Sequence, residues 1–433
     1  MMKAAEYLRG NVSYITLEPL VSSCLSEDSS ASLDDLDQLR EVVAYLDCTY
    51  FILRHLSNVL KRTASNAVPK PAVFYENVLA VMDLLLVPEN RPTGILGEPV
   101  QPKSDLARHT KVSYLRHLFT QVWVHFLDNP LPDSLMLKAL RLLGDGRMNR
   151  LGDVRLLSDY VIPIFDPEAA AADVKECSKP TDQDLVVPPT WSRAVSRTVL
   201  HLVVQGGLNY PRLYPRLYQL LDDSLLVCPE TERFLDDLDT YLRSLLLSTN
   251  VVAAFVKRLS QLALLSPLRL TCALLSMIHD CILRHPKCAV LVNRRKRPHS
   301  NKRVRPTEHN SVDSANSLAD AASPQTSDPA ILSKGDPYQW DPHNLEKSKA
   351  LDSSLWEVAS LIHHYSDDVA TLAYKICHPN PVDAPGVASP SEIIRQKDEE
   401  LKADAESVRQ NLIALTQSNA QFPNLPPLEG WVF

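Results

Sequence analysis

Glycine is scarce in this chain: there are 11 among 433 residues, where average usage of about 7% would give roughly 30. Tight hairpins, positive-φ turns and phosphate-cradling loops all draw on glycine, so folds built from them are disfavoured. Proline runs the other way, with 32 residues against roughly 22 at an average of about 5%. Few glycines and many prolines favour short helices joined by rigid turns. Apolar residues make up 45% and charged residues 22% of the chain, enough to fill a large core and too apolar for global disorder.

Hydrophobic periodicity supplies the helices. Ser32-Leu33-Asp34-Asp35 fits a capping box, and Leu36, Leu39, Val43, Leu46, Tyr50, Leu53 and Leu60 follow at helical spacing, predicting one helix to about Lys61. Pro71 starts the next helix, which Pro88 stops. Further helices are predicted over 105–127, 133–143 and 151–162. Another runs from about 191 to a C-terminal cap at Gly206-Gly207. The pattern continues over 211–222, 230–247, 250–265, 267–284, 344–376 and 391–417, and strand-type alternation is scarce. The expected fold is all-α, an irregular HEAT/armadillo-like α-solenoid with a disordered basic insert.

Composition shifts mark the organisation. The expected order is an N-terminal helical region (1–165), a flexible connector (166–190), and a helical region in two parts, 191–293 and 336–379. The two parts flank a disordered basic and Ser-rich insert (294–335), and a charged helix with a Pro-rich tail closes the chain (380–433). Eight cysteines scattered through apolar patterns point to a reducing compartment. The first twenty residues lack a signal-type apolar run, and no uncharged apolar stretch reaches about 18 residues, so a soluble intracellular protein without membrane contact is expected.

The net charge of −7 excludes a globally basic nucleic-acid binder but leaves room for a local patch. One such patch is Arg294, Arg295, Lys296, Arg297, Lys302, Arg303 and Arg305, which holds no acid. Two cationic clusters on an extended chain suit an importin groove, and phosphate neutralisation makes RNA contact a second use. A solvated linker is the plainer reading of the same residues. Cys281, His285 and Cys288 share one helical face, but Pro286 breaks that helix and no CxxC pair exists, so core packing accounts for them better than zinc. No G-x-S-x-G elbow and no phosphate-loop fingerprint occurs, and neither an enzyme nor a cofactor is expected.

Several blocks carry a resemblance. In order they are Leu208-Asn209-Tyr210-Pro211-Arg212-Leu213-Tyr214 with Arg216-Leu217-Tyr218, then Val251 to Leu259, then His285-Pro286-Lys287-Cys288. After the insert come Asp336-Pro337-Tyr338, Asp341-Pro342, and Ser353-Ser354-Leu355-Trp356-Glu357. In this order, over 206–379, they resemble the CCAAT-binding-factor (CBF) family of nucleolar ribosome-assembly proteins. The resemblance implies a non-catalytic scaffold in the nucleus and nucleolus. It implies a heterodimer with nucleolar protein 14 among the small-subunit processome proteins, acting in small-subunit rRNA maturation and pre-40S assembly. A large-subunit assembly or export scaffold of the same family, or a helical-repeat nuclear transport adaptor, are the alternatives.

The candidate partner-binding residues are Lys257, Arg258, Asp336, Pro337, Tyr338, Trp356 and Glu357. Helical spacing turns Phe255 and Leu259 inward and places Lys257 and Arg258 on a concave or partner-facing surface. Tyr338 and Trp356 are aromatic anchors of the kind enriched at hot spots, or else core residues. Pro337 restricts its predecessor and fixes how the chain returns to helix.

Overall fold

The computed structural model describes residues 12–27, 30–65, 70–85, 94–96, 108–169, 188–292, 336–379 and 384–417. The described residues are helical or irregular, with no strand among them. The chain divides into two compact units, one of residues 1–216 with 228–237 and the other of 217–227 with 238–433. Within each unit helices pack side against side, a solenoid-like arrangement consistent with the all-α class expected.

The first unit opens with α1 (Tyr14–Cys24), α2 (Leu33–Val43), α3 (Leu46–Ser65) and α4 (Ala72–Leu84). It continues with α5 (Val112–Leu127), α6 (Asp133–Leu142), α7 (Ser158–Phe165), α8 (Pro189–Ala194) and α9 (Ser196–Val204). Ser32 caps α2 by accepting from the Asp35 N–H at 3.1 Å. The single helix predicted from Ser32 to Lys61 is instead two. At Ala44-Tyr45 the chain turns, and the Leu46 N–H donates to the carbonyl of Gly94 at 3.3 Å. Thr49 Oγ1 covers the Val43 carbonyl beside the break and also reaches the Tyr45 carbonyl, which accepts the Thr49 N–H. The core lies between α3 and α5, where buried Trp123 meets Phe119 and Phe126 edge-on.

The helix predicted over 151–162 is a 3₁₀ turn, Val154–Leu157, leading into α7. Gly207 has φ +62°, and the Leu208 N–H reaches back to the Leu202 carbonyl at 3.2 Å. This is the glycine cap expected at Gly206-Gly207.

After α10 (Leu213–Gln219) and α11 (Thr231–Leu242), the second unit is organised on α12 (Thr249–Leu265) and α13 (Leu268–Arg284). Ser248 caps α12 through the Val251 N–H at 3.4 Å, and Pro267 precedes α13. α12 is buried continuously from Val252 to Ser260, so it has no solvent face over that stretch. Pro286 ends α13 and begins a 3₁₀ turn, Pro286–Leu291.

The helical structure expected over 344–376 comes in four short pieces. Two 3₁₀ turns, Leu345–Lys347 and Ala350–Asp352, precede α14 (Trp356–Leu361) and α15 (Asp367–Cys377). Lys349 sits at φ 53° between the turns, a left-handed conformation that a helix cannot contain. α16 (Pro390–Gln417) packs its first half against α13, with Ile394 buried and Arg269 Nη1 2.8 Å from Asp398. Residues 401–414 of α16 are exposed. No helix among the described residues is long and apolar enough to cross a membrane. Most of the predicted connector and all seven cations from Arg294 to Arg305 lie outside the described residues.

Candidate functional site: a buried charge latch

The candidate residues of the second unit converge on one side chain. Lys257 projects from the middle of α12 and is fully buried. Its ammonium has three N–H donors and finds three acceptors. Nζ donates to Glu357 Oε2 at 2.7 Å and to the Ser354 carbonyl at 2.7 Å. It also lies 2.8 Å from Asp336 Oδ2. Glu357, at the start of α14, is as buried as Lys257 and presents its other oxygen at 2.7 Å as well. Two carboxylates therefore surround one ammonium, which is how a charge so far from water is tolerated.

Aromatic rings close the cage. The Lys257 Nζ is 5.4 Å from the centroid of Trp356 and 5.9 Å from that of Tyr338, both within cation–π range. The Tyr338 and Tyr218 hydroxyls share a hydrogen bond of 2.6 Å, and Tyr218 meets Phe255 edge-on at 5.4 Å. Burial pushes the Tyr218 phenol up to about 12 and drives the Tyr338 phenol up as well.

Asp336 is the hub of the segment that follows the insert. Its Oδ1 accepts from the Tyr338 N–H at 3.0 Å and from Ser353 Oγ at 2.5 Å. Its Oδ2 accepts from Trp356 Nε1 at 2.8 Å. Partial burial works against the Asp336 charge, but hydrogen bonds from Lys257, Ser353, Tyr338 and Trp356 outweigh it and hold the carboxyl below its usual range. Burial dominates at Glu357 and pushes its carboxyl up, with Lys257 opposing.

Arg258, one residue on, performs the same task on the neighbouring side of α12. Its Nε donates to the Leu221 carbonyl at 2.7 Å and its Nη2 to Asp223 Oδ1 at 2.9 Å. The guanidinium lies 4.0 Å from the Trp340 ring centroid. The Leu355 N–H adds a main-chain bond of 3.0 Å to the carbonyl of Leu291.

These contacts correct the reading of Lys257 and Arg258 as partner-facing. Spacing did set them off the Phe255 and Leu259 stripe, but α12 is enclosed on every side from Val252 to Ser260, so they face the 336–357 segment and the 221–223 turn instead. Tyr338 and Glu357 are likewise internal, and Asp336 turns its carboxylate inward with its side chain 24% exposed. Pro337 is half-buried. Trp356 is 50% exposed, so it is not a core residue, and its indole N–H is held by Asp336. Sequence reasoning missed Tyr218, Trp340 and Ser353 as members of the cage. Tyr218 and Ser353 stood inside the quoted blocks, yet nothing local announced their partners.

Cys281 and Cys288 are buried. His285 Nε2 meets the Leu242 carbonyl at 3.2 Å, and burial pushes the Cys281 and Cys288 thiols up to about 12 and about 11. Among the described residues no three His, Cys, Asp or Glu side chains group as metal ligands.

In the first unit the Tyr210, Arg212 and Arg216 part of the quoted blocks is also tied to the fold, Arg216 buried and Arg212 exposed. Tyr210 Oη donates to buried Asp166, Arg212 Nε lies 3.1 Å from that carboxylate, and Arg216 Nε donates to the Phe165 carbonyl at 2.8 Å.

Residues 195–373 match the CBF/Mak21 family model. The chain is 26% identical over 372 residues to the nucleolar complex protein 4 homolog of Gallus gallus, covering 85% of this chain and 63% of the relative. It is 28% identical over 369 residues to the Danio rerio homolog, covering 84% and 59%. The Homo sapiens homolog is 28% identical over 357 residues, covering 82% and 58%. This chain thus spans about three fifths of the length of the curated relatives it matches. Alignments of this length reach well into 1–205, beyond the quoted blocks. The latch and the residues that build it fall within the segment that is similar to the CBF/Mak21 family, and the chain is similar along most of its length to the nucleolar complex protein 4 homologs.

Proposed function

We propose that this chain is a nucleolar, non-catalytic scaffold of ribosome biogenesis that pairs with nucleolar protein 14 in the small-subunit processome. In that role it supports small-subunit rRNA maturation and pre-40S assembly. The observation that carries the reading is the use made of the unusual residues. Charged and aromatic side chains that would be spent on a reactive site are spent on fixing Asp336–Glu357 to α12. The product is a rigid helical surface, suited to bridging a large assembly. Likeness to nucleolar complex protein 4 homologs supplies the cellular setting.

With the latch internal, the exposed rings of the α14–α15 region become the candidate partner face. Trp356 is 50% exposed, Tyr365 83% and Tyr374 55%. Aromatic anchors of this size dominate interface energetics. Arg294, Arg295, Lys296, Arg297, Lys302, Arg303 and Arg305 serve importin recognition and touch pre-rRNA.

The test is affinity purification of the tagged chain from nuclear extract, with and without RNase and high salt, followed by mass spectrometry. Nucleolar protein 14 retained in near-equal amount after both treatments supports the pairing. Its absence, with pre-60S factors or importins dominating, overturns it in favour of the large-subunit or transport alternatives.

A further inference from the structure

In the first unit a second set of cations is arranged differently. Two open grooves, of about 600 Å3 and 530 Å3, flank the N-terminal half of α5. Arg116 and Arg155 line the first, and Arg108 and Lys111 the second. Among the described residues that line the two grooves, Asp153 is the one acid, so four cations against one carboxylate leave a local charge of +3. The whole chain is at −7, which makes this face an exception to its surroundings. The partners of Arg116 and Arg155 are neutral. Arg116 donates to the Asn149 carbonyl and Arg155 Nε to the Gly206 carbonyl at 2.7 Å, so neither charge is cancelled.

Rings line the second groove, beside Arg108 and Lys111. His109 stacks on buried Tyr50 with centroids 5.0 Å apart and planes 9° from parallel. Tyr114, 39% exposed, lies 4.8 Å from His109. The grooves are also fixed in place. The Gly152 N–H donates to Thr120 Oγ1 at 2.8 Å, and Thr120 Oγ1 donates to the Arg116 carbonyl at 2.9 Å. A Cβ on Gly152 would lie 3.0 Å from the His117 nitrogen, so only glycine lets the 148–155 segment sit this close to α5.

We propose that this α5 face binds single-stranded RNA, with Lys111, Arg116 and Arg155 on phosphates and Tyr114 and His109 under the bases. Cations not cancelled by carboxylates are what a polyphosphate backbone needs, and partly exposed rings accept any base by stacking. An acidic polypeptide would use the charges and leave the rings idle. The choice of RNA rests in part on the ribosome-assembly reading; the charge and the rings do not.

The full-length protein carries another basic segment, so the experiment starts from a chain with Arg294, Arg295, Lys296, Arg297, Lys302, Arg303 and Arg305 changed to Ala. Fluorescence anisotropy with a labelled oligouridylate of about 12 nucleotides is read from roughly 50 to 200 mM salt. Lys111→Gln/Arg116→Gln/Arg155→Gln should flatten the slope of log K against log salt by about 2, at about 0.7 per phosphate lost. Tyr114→Ala should weaken binding at least roughly fivefold and leave the slope unchanged. Ultraviolet crosslinking of 4-thiouridine RNA to the unsubstituted chain should label the 108–117 peptide, and needs no variant to fold. Unchanged slope and affinity, or a crosslink elsewhere, overturns the proposal. So does an oligoglutamate that competes as well as RNA while Tyr114→Ala has no effect, since that marks an acidic protein site. A triple variant that loses RNA yet keeps nucleolar protein 14 separates this surface from the scaffold reading; loss of that partner in the unsubstituted chain would sink the scaffold reading alone.

Discussion

Lys257 in the second unit and Arg116 in the first are both helix-borne cations, and they do opposite work. Lys257 is fully buried, with two carboxylates and a carbonyl on its three protons. Arg116 is half-buried and shares its charge with a neutral carbonyl. A cation beside tyrosine and tryptophan is thus no sign of a binding surface by itself. The number of facing carboxylates and access to water decide whether it closes a fold or is open to a ligand.

The largest effect should come from breaking the buried pair. Lys257→Met leaves Glu357 charged without its ammonium, and should cost about 3–5 kcal/mol, read as a fall in the urea midpoint. Removing both signs sharpens the point. Lys257→Met/Glu357→Leu/Asp336→Asn should recover at least half of that loss, because no orphan charge remains. A triple variant as unstable as the single one would show that the latch acts through shape and not through charge balance.

Trp340→Ala removes the ring under Arg258 and should cost about 1–2 kcal/mol, visible in the same measurement. Acid offers a gentler probe. The Asp336 carboxyl is held below its usual 3.8 when folded, so its stabilisation is present above that pH and fades as pH falls below it. Trp356 fluorescence should therefore change on acidification through that range, and Asp336→Asn should abolish that change. The smallest effect belongs to the open face. Arg116→Gln/Arg155→Gln should leave stability within about 0.5 kcal/mol of the parent chain, since no buried charge is uncovered. A loss comparable to that of Lys257→Met would erase the contrast.

Much of the second unit was legible because its boundaries are local. Ser248, Pro267 and Pro286 delimit α12 and α13 through capping and ring chemistry carried by the residues themselves. The break at Ala44-Tyr45 was not legible, because the group that satisfies the Leu46 N–H belongs to Gly94. The breaks within 344–376 were not legible for a related reason. Its periodicity is helical, but Ser354, Trp356 and Glu357 answer to Lys257, about a hundred positions away, and that contact outweighs local propensity. Facing directions were half right. Period alone separates Lys257 from Phe255, and it does not say that a second wall of protein stands opposite.

The latch also governs what evolution is free to do with residues 293–335. Leu291, just before them, accepts from Leu355, and Asp336, just after, is held by Lys257. Both ends of that stretch are moored to the same helical platform. Closing a loop between two fixed points is cheap to vary, since each doubling of loop length costs only about 0.6 kcal/mol. Changes in length or charge between Leu291 and Asp336 therefore leave the latch contacts on either side in place.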